Sequence, residues 1–163
     1  MVGKVTHYLR RKGFGAQAGP GLGGMTIYPV MAKDAKMGQI GRHGLMMTPE
    51  NGPSQRLAVV YTNIKNFPEK EQNKHEWIAN YCSKCGLCIK KCPSKAIYDK
   101  PIINNKKHIS HIDYDKCMSY FNDNFGCTIY VKVCPFTKVG YDKLHKGYLK
   151  MKSKEETSKI GLL

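Results

Sequence analysis

The spacing of apolar and polar residues predicts a chain of short helices and short strands. Apolar positions recur at helical spacing in six segments: 2–12, 28–37, 75–81, 113–121, 127–133 and 140–151. Strand-like segments at 45–48 and 55–62 flank a Pro-Glu-Asn-Gly-Pro turn and predict an antiparallel hairpin. A second hairpin is predicted between Ile97-Tyr98 and His108-Ile109, with its turn at 104–107. These elements indicate the α+β class.

The remaining segments predict loops and a division into three parts. Glycine-rich residues 13–24 predict a loop, 64–73 a polar linker, and 153–163 a charged tail that frays. We therefore expect a helix–loop–helix–hairpin segment over 1–66, a cysteine-bearing domain over 67–140 and a C-terminal helix with its tail over 141–163. No apolar run is long enough to cross a bilayer.

The charge of the chain is strongly positive. Its 163 residues contain 27 basic and 12 acidic side chains, for a formal charge of +15. Such a charge indicates a lysine-rich solvated surface, steering toward an acidic redox partner, or binding of nucleic acid. Six lysines lie around the first cysteine run: Lys84, Lys90, Lys91, Lys95, Lys106 and Lys107.

The most specific pattern is a run of four cysteines, Cys82-x-x-Cys85-x-x-Cys88-x-x-x-Cys92-Pro93. This spacing is typical of iron–sulfur proteins, in which three thiolates bind one cluster and the fourth binds another. A structural zinc site usually shows two separated cysteine pairs instead. The run therefore predicts a 4Fe–4S cluster. Free thiolates and an odd cysteine count indicate a reducing compartment and predict a cytoplasmic protein.

A second, incomplete half follows at Cys117, Cys127 and Cys134-Pro135. By the crossed arrangement of two-cluster ferredoxins, the predicted first cluster is held by Cys82, Cys85, Cys88 and Cys134, and the second by Cys92, Cys117 and Cys127. Seven cysteines thus serve eight ligand positions, and Tyr130 stands at the eighth. Three alternatives remain: a 3Fe–4S cluster, a 4Fe–4S cluster completed by oxygen from Tyr130, water or substrate, or no second cluster.

A turn before the cysteines carries a family resemblance. The sequence from Gly38 to Glu50, which contains Gly41-Arg42-His43-Gly44, continues with Gly52-Pro53 and Arg56-Leu57-Ala58. Together with the order of cysteines, it resembles reductive dehalogenases, and epoxyqueuosine reductases are similar. The resemblance implies a two-cluster ferredoxin-like domain of bacterial type, preceded by part of a nitroreductase-like domain that binds cobalamin.

The resemblance also implies candidate residues and partners. Gln39, Gly41, Arg42 and His43 would form a cobalamin-facing loop, although a glycine-rich turn of this kind also serves as a purely structural element. Catalytic residues are not assigned, because most of the cobalamin pocket of such enzymes precedes the matching region. A companion chain would then complete that pocket.

Two hypotheses for function follow, with a third beside them. The first is an electron-transfer protein that relays single electrons through two clusters to a redox partner. The second is a subunit or fragment of a cobalamin-dependent reductase of the reductive dehalogenase type, or of the epoxyqueuosine reductase type that acts on tRNA. The third, tRNA binding through the lysine-rich surface, would show strongly salt-dependent association.

Overall fold

The fold combines helices of 4 to 20 residues with two-stranded antiparallel sheets, as seen in a computed structural model that describes residues 1–20, 26–68, 72–105 and 108–160. The helices in these ranges are α1 (Val2–Arg11), α2 (Tyr28–Asp34), α3 (Trp77–Cys85), α4 (Leu87–Lys90), α5 (Tyr114–Asp123), α6 (Ile129–Val133), α7 (Pro135–Lys138) and α8 (Tyr141–Ile160). The strands are β1 (Ala16–Ala18), β2 (Gln39–Ile40), β3 (Met46–Met47), β4 (Val60–Thr62), β5 (Ile97–Ile103) and β6 (Ile109–Ile112). The α+β class is confirmed.

The N-terminal helix is confirmed, but the loop predicted after it contains a strand. Residues Ala16–Ala18 form β1 and pair antiparallel with β4. Glycine composition does not reveal this strand, because its partner lies more than forty residues further along the chain. Residues 21–24 of the predicted loop lie outside the described residues. Helix α2 begins with Pro29 in its first turn and ends at Asp34, earlier than predicted.

The predicted hairpin between residues 45–48 and 55–62 is wrong. Strand β3 pairs with β2, with Gln39 opposite Met47, while β4 pairs with β1. The turn of the β2–β3 hairpin is the glycine-rich segment that carries Arg42 and His43. A Cβ atom added to Gly38 would lie 1.9 Å from the carbonyl oxygen of Met47. The missing side chain at Gly38 therefore permits the close approach of the backbone on which this hairpin depends.

The arm between the cysteine sets forms the predicted hairpin in a different register. Ile97 lies opposite Ile112 and Ile103 opposite Ile109, with an irregularity between the two pairs. The strands are therefore longer than the two dipeptides that were predicted to pair. The turn residues Lys106 and Lys107 lie outside the described residues. At the end of β6, the backbone N–H of Asp113 donates to the carbonyl of Ala96 over 2.7 Å.

Two predictions about the C-terminal half have different outcomes. Asp113 caps α5 as predicted, because its side chain accepts a hydrogen bond from the backbone N–H of Lys116. The tail predicted from Ser153 onward instead continues α8 as far as Ile160. Residues 161–163, the end of that tail, lie outside the described residues. An ion pair between Lys84 and Glu155, 2.7 Å long, joins α8 to α3.

The core lies where α3 meets the segment after Cys134. Its buried members are Met47, Trp77, Ile78, Cys134 and Phe136. Partly buried side chains pack around them, namely Tyr81, Cys82, Tyr141, Leu144 and Tyr148. Two cysteines therefore belong to or border the hydrophobic core. Over the described part of the chain, we find no helix with the length and apolar character that crossing a membrane requires.

Candidate metal centres

The first cysteine set lies on two short helices and one return segment. Cys82 and Cys85 are on α3, and Cys88 is on α4. Gly86 joins the two helices with a φ of 59°, a left-handed conformation that glycine adopts without strain. Cys134, which precedes α7, lines the same small cavity of about 20 Å³ as these three cysteines. The structure thus brings together the four residues predicted to hold the first cluster.

Within this set Cys88 and Cys134 are buried, and Cys82 and Cys85 are half-buried. Burial, helped by the neighbouring thiols of Cys134, Cys88 and Cys85, raises the pKa of Cys82 to about 11, although a hydrogen bond from the backbone of Arg42 acts to lower it. Burial likewise raises the pKa of Cys88 and of Cys134. Four mutually repelling thiolates need a cationic group among them, and a bound metal deprotonates its thiol ligands. The donor set therefore fits an iron–sulfur cluster.

The second cysteine set surrounds a larger cavity of about 450 Å³. Cys92 follows α4, Cys117 lies on α5, and Cys127 precedes α6. Burial raises the pKa of Cys117, and so do the nearby thiols of Cys92 and Cys127. The three residues predicted to hold a second cluster are therefore also brought together. Their donor atoms are those that iron favours in clusters.

Tyr130 lines the same cavity as the second set. Its ring centroid lies 5.7 Å from that of His43, at an angle of 47°. Burial raises the pKa of Tyr130, with smaller contributions from Cys117 and Cys127. The residue that replaces the expected cysteine therefore faces the space that a second cluster would fill, and its phenol is held in the protonated form at neutral pH.

The turn of the β2–β3 hairpin lies beside both cavities. His43 is buried and lines both, whereas Arg42 lines the first only. Arg42 donates to the backbone carbonyl of Asp99, and its own carbonyl is bonded to Nδ1 of His111 over 3.1 Å. Gln39 is buried on β2, where its side-chain oxygen accepts from the backbone N–H of Ile40. The contacts of this turn are thus with the cysteine domain, and a role toward cobalamin stays a prediction.

Sequence reasoning missed two features of the site. One is the hydrogen bonding of Cys92, whose sulfur lies 3.6 Å from Ser94 Oγ. The other is the set of partners on α8 that hold Trp77 in place: Trp77 stacks on His145 with ring centroids 4.7 Å apart, and its Nε1 donates to the hydroxyl of Tyr141. Serine after Cys-Pro and aromatic residues at a four-residue spacing on α8 are the sequence signals that accompany them.

A mononuclear metal site needs ligands that converge on one ion, whereas in a cluster different thiolates bind different iron atoms. Within residues 1–20, 26–68, 72–105 and 108–160, no three His, Cys, Asp or Glu side chains converge as ligands of one metal ion.

Comparison with known proteins identifies the cysteine-rich segment. Residues 75–98 match the 4Fe-4S binding domain family. The chain is 35% identical over 152 residues to a tetrachloroethene reductive dehalogenase of Sulfurospirillum multivorans, a match that covers 88% of this chain and 29% of the relative. It is also 30% identical over 114 residues to an epoxyqueuosine reductase of Francisella cf. novicida, covering 65% of this chain and 31% of that protein.

Solved structures extend the comparison to the fold. The catabolic reductive dehalogenase NpRdhA superposes with a TM-score of 0.70 at 21% identity, over 83% of this chain and 20% of that one. An epoxyqueuosine reductase solved with a tRNA stem loop superposes with a TM-score of 0.58 at 20% identity, over 83% and 36%. The chain thus spans about three tenths of the length of the curated relatives it matches.

Proposed function

We propose that this chain, a homologue of the iron–sulfur part of reductive dehalogenases and epoxyqueuosine reductases, is a two-cluster electron-transfer unit. The 4Fe-4S binding domain at residues 75–98 supports an iron–sulfur role. The observation that carries the two-cluster proposal is the sorting of seven cysteines into one set of four and one set of three, each around its own cavity.

In this proposal, Cys82, Cys85, Cys88 and Cys134 hold the first cluster. Cys92, Cys117 and Cys127 hold the second, which lies beside Tyr130. When bound, the clusters supply one-electron exchange with a redox partner. The polypeptide orients the thiolates through the α3–α4 turn and the hairpin turn at 41–44. Trp77, Phe136 and Tyr81 keep water away from the first set.

For the second cluster, we propose the three-thiolate form, 3Fe–4S. Three cysteines and one cavity satisfy it without a further ligand, and Tyr130 then acts as a packed aromatic side chain. The alternative is a 4Fe–4S cluster in which oxygen from Tyr130, water or a substrate supplies the fourth ligand. Both forms place Tyr130 next to the cluster, so its substitution tests them.

The surface of α1 and α2 supports an interaction with another part of a protein. Large apolar side chains stand exposed on and beside α1 and α2, among them Val5, Tyr8, Ile27, Val30 and Met31. Large apolar side chains exposed in this number are a feature of surfaces that bind another protein. We propose that residues 1–66 are a nitroreductase-like segment that packs against the rest of a cobalamin-binding domain, in a longer protein or a companion chain. The net charge of +15 would favour an acidic redox partner.

The second candidate function, part of a cobalamin-dependent reductase in the cytoplasm, depends on this packing. For one of the solved reductive dehalogenases that superpose on this chain, the structure suggests a mechanism of B12-dependent dehalogenation. A reductive dehalogenase role for this chain would then require a cobalamin pocket, and an epoxyqueuosine reductase role would require tRNA binding as well.

The first experiment is anaerobic reconstitution with iron and sulfide, followed by iron counts and EPR of the oxidised and reduced chain. We expect roughly seven irons per chain, with a 3Fe–4S signal when oxidised and a 4Fe–4S signal when reduced. In Tyr130→Cys the iron count should rise to roughly eight and the 3Fe–4S signal should disappear. Tyr130→Phe, the matched control, should resemble the parent chain.

Other outcomes are equally informative. Roughly eight irons without a 3Fe–4S signal, changed by Tyr130→Phe, would identify Tyr130 as an oxygen ligand. Roughly four irons would reject the two-cluster proposal. Titration with hydroxocobalamin tests the second candidate function. A stoichiometric complex with a shifted corrin spectrum supports that function. An unchanged spectrum supports electron transfer as the function of the isolated chain.

A further inference from the structure

His43 has a buried nitrogen without a hydrogen-bond partner in the structure. Its side chain is only 6% exposed, and Nε2 has neither solvent contact nor a protein acceptor. A buried polar group without a partner costs free energy, and such groups in native proteins mark a missing ligand or water. The position of His43, lining both cysteine cavities, gives this nitrogen a candidate acceptor.

The tautomer of His43 follows from its other nitrogen. Nδ1 lies 3.2 Å from the backbone nitrogen of Leu45, whose N–H donates to it. An imidazole nitrogen that accepts a hydrogen bond carries no proton, so the proton of the neutral ring is on Nε2. Burial, followed by the charge of His111, lowers the pKa of His43 to about 4, so the ring is neutral near pH 7. Nε2 therefore presents an N–H donor.

The same tautomer argues against His43 as the eighth cluster ligand. A histidine that ligates iron through Nε2 needs the proton on Nδ1, and that proton usually bonds to a carbonyl or carboxylate. At His43, a backbone N–H already points at Nδ1. Ligation would place two hydrogens against each other. Donation from Nε2–H is the arrangement that the backbone of the turn permits.

The ring is held in place on two sides. A Cβ atom at Gly41 would lie 3.0 Å from Cε1 and 3.3 Å from Nε2 of His43, so glycine leaves room for the imidazole. The ring of Tyr130, which lines the cavity of the second cysteine set, has its centroid 5.7 Å from the centroid of the His43 ring. Gly44 and Leu45 line that larger cavity together with His43. Together with Gly44, Leu45 and Tyr130, His43 thus forms part of the wall around the second cysteine set, while its ring also lines the first cavity.

We infer that Nε2–H of His43 donates a hydrogen bond to a sulfur atom of the cluster held by Cys92, Cys117 and Cys127. This inference rests on the proposed function. A donor at cluster sulfur stabilises the reduced form, which is the more negative one, and hydrogen bonds to sulfur are among the factors that set cluster potentials. His43 is then a potential-setting residue and holds no iron.

The test begins with the reconstituted parent chain, labelled with 15N-histidine and studied by pulsed EPR in the oxidation state in which the second cluster is paramagnetic. We expect a weak 15N coupling, as for a hydrogen-bonded nitrogen. It should persist in His111→Phe, which removes the neighbouring half-buried imidazole. No coupling at all, or one as large as that of a direct ligand, would overturn the inference.

Redox titration of variants provides the second readout. His43→Phe keeps an aromatic ring without a donor, and at a fixed potential we expect its reduced-to-oxidised ratio to fall about tenfold at the second cluster. For a one-electron couple this is a midpoint shift of about −59 mV. His43→Gln supplies an amide N–H and should recover part of the shift. His111→Phe should leave the ratio within about twofold, less than the change expected from one hydrogen bond.

The outcomes separate this inference from the function on which it rests. A parent chain that binds no iron would reject the proposed function. A parent chain with both clusters, whose second potential is the same in His43→Phe, would reject only the role of His43. A shift confined to the first cluster would also overturn the assignment. If His43→Phe fails to fold, the 15N coupling of the parent chain still decides.

Discussion

The backbone N–H of Ala96 donates a hydrogen bond to the sulfur of Cys92 over 3.3 Å. Burial acts to raise the pKa of Cys92, but hydrogen bonds from Ser94 and from the backbone of Ala96 and Ile97 outweigh it and lower the pKa. Cys82 shows the opposite balance, since burial raises its pKa to about 11. The two thiols therefore differ in how readily they form the thiolate.

This contrast predicts selective alkylation of the iron-free chain. Because the thiolate is the reactive form, iodoacetamide near neutral pH should modify Cys92 well before Cys82. The rate at Cys92 should also rise at a lower pH than the rate at Cys82. Ser94→Ala should slow the reaction at Cys92, because it removes one of the hydrogen bonds that stabilise the thiolate. Ser83→Ala, the control beside Cys82, should leave the rate at Cys92 unchanged. Peptide mass spectrometry over time gives both rates, and equal rates would contradict the prediction.

The grouping of Cys134 with the first run predicts a crossed pattern of cluster loss. Cys134 lies next in sequence to the second set but lines the cavity of Cys82, Cys85 and Cys88. Cys134→Ala should therefore abolish the reduced 4Fe–4S signal and remove roughly four irons. Cys92→Ala should remove the second cluster instead. EPR of the two reconstituted variants decides between this pattern and the reverse, which an uncrossed arrangement would give.

The structure places the seven cysteines around two cavities in the groups that their spacing predicts, whereas two of the strand pairings around them were not predicted. Ligand spacing is local and is dictated by the chemistry of the cluster, so the sets followed from the positions of seven residues. The pairing of β1 with β4 depends on residues more than forty positions apart, and their own sequence carries a weak signal. The pairing of β2 with β3 was not predicted for another reason. A glycine such as Gly38 usually indicates a turn, but here Gly38 allows the backbone to approach Met47 closely.

Within the site, the burial of His43 could not be predicted from its neighbours. A glycine-rich turn with two basic residues suggests an exposed tip, and Arg42 does reach outward to Asp99. His43 instead turns inward because Gly41 leaves space for its ring and Leu45 fixes its Nδ1. These are contacts of three-dimensional packing that no spacing rule contains. Beyond Ser153, α8 also makes a contact that the sequence does not indicate, the ion pair between Glu155 and Lys84.

The hydroxyl of Tyr141 predicts a measurable contribution to stability. It accepts from Nε1 of the buried Trp77 over 3.0 Å and lies 2.7 Å from Nδ1 of His75. Tyr141→Phe should lower the free energy of unfolding by about 1–3 kcal/mol, because the buried indole N–H loses its acceptor. Tyr148→Phe is the matched control on the same helix: its hydroxyl lies 3.5 Å from an exposed Asn80 amide, and we expect a change within about 0.5 kcal/mol.

Denaturant unfolding of the iron-loaded chains, followed by Trp77 fluorescence, measures both changes. Trp77 is the single tryptophan of the sequence and lies at this contact. An equal loss in the two variants would show that the hydroxyl of Tyr141 has no special role between α3 and α8.

Two glycines provide opposite predictions from the space around them. At Gly38, a methyl group would lie 1.9 Å from the Met47 carbonyl oxygen, and a backbone atom cannot move aside as a flexible side chain can. Gly38→Ala should therefore lower the free energy of unfolding by about 1–3 kcal/mol or more and shift the β2–β3 hairpin that carries His43.

At Gly147, within α8, no atom lies within 4 Å of the added methyl group apart from the backbone of its own helix. Gly147→Ala should stabilise the chain by about 1 kcal/mol, because alanine favours helix. Unfolding midpoints of the two variants, measured with the same iron content, should move in opposite directions. A Gly38→Ala chain as stable as its parent would mean that the close approach to Met47 is not required by the fold.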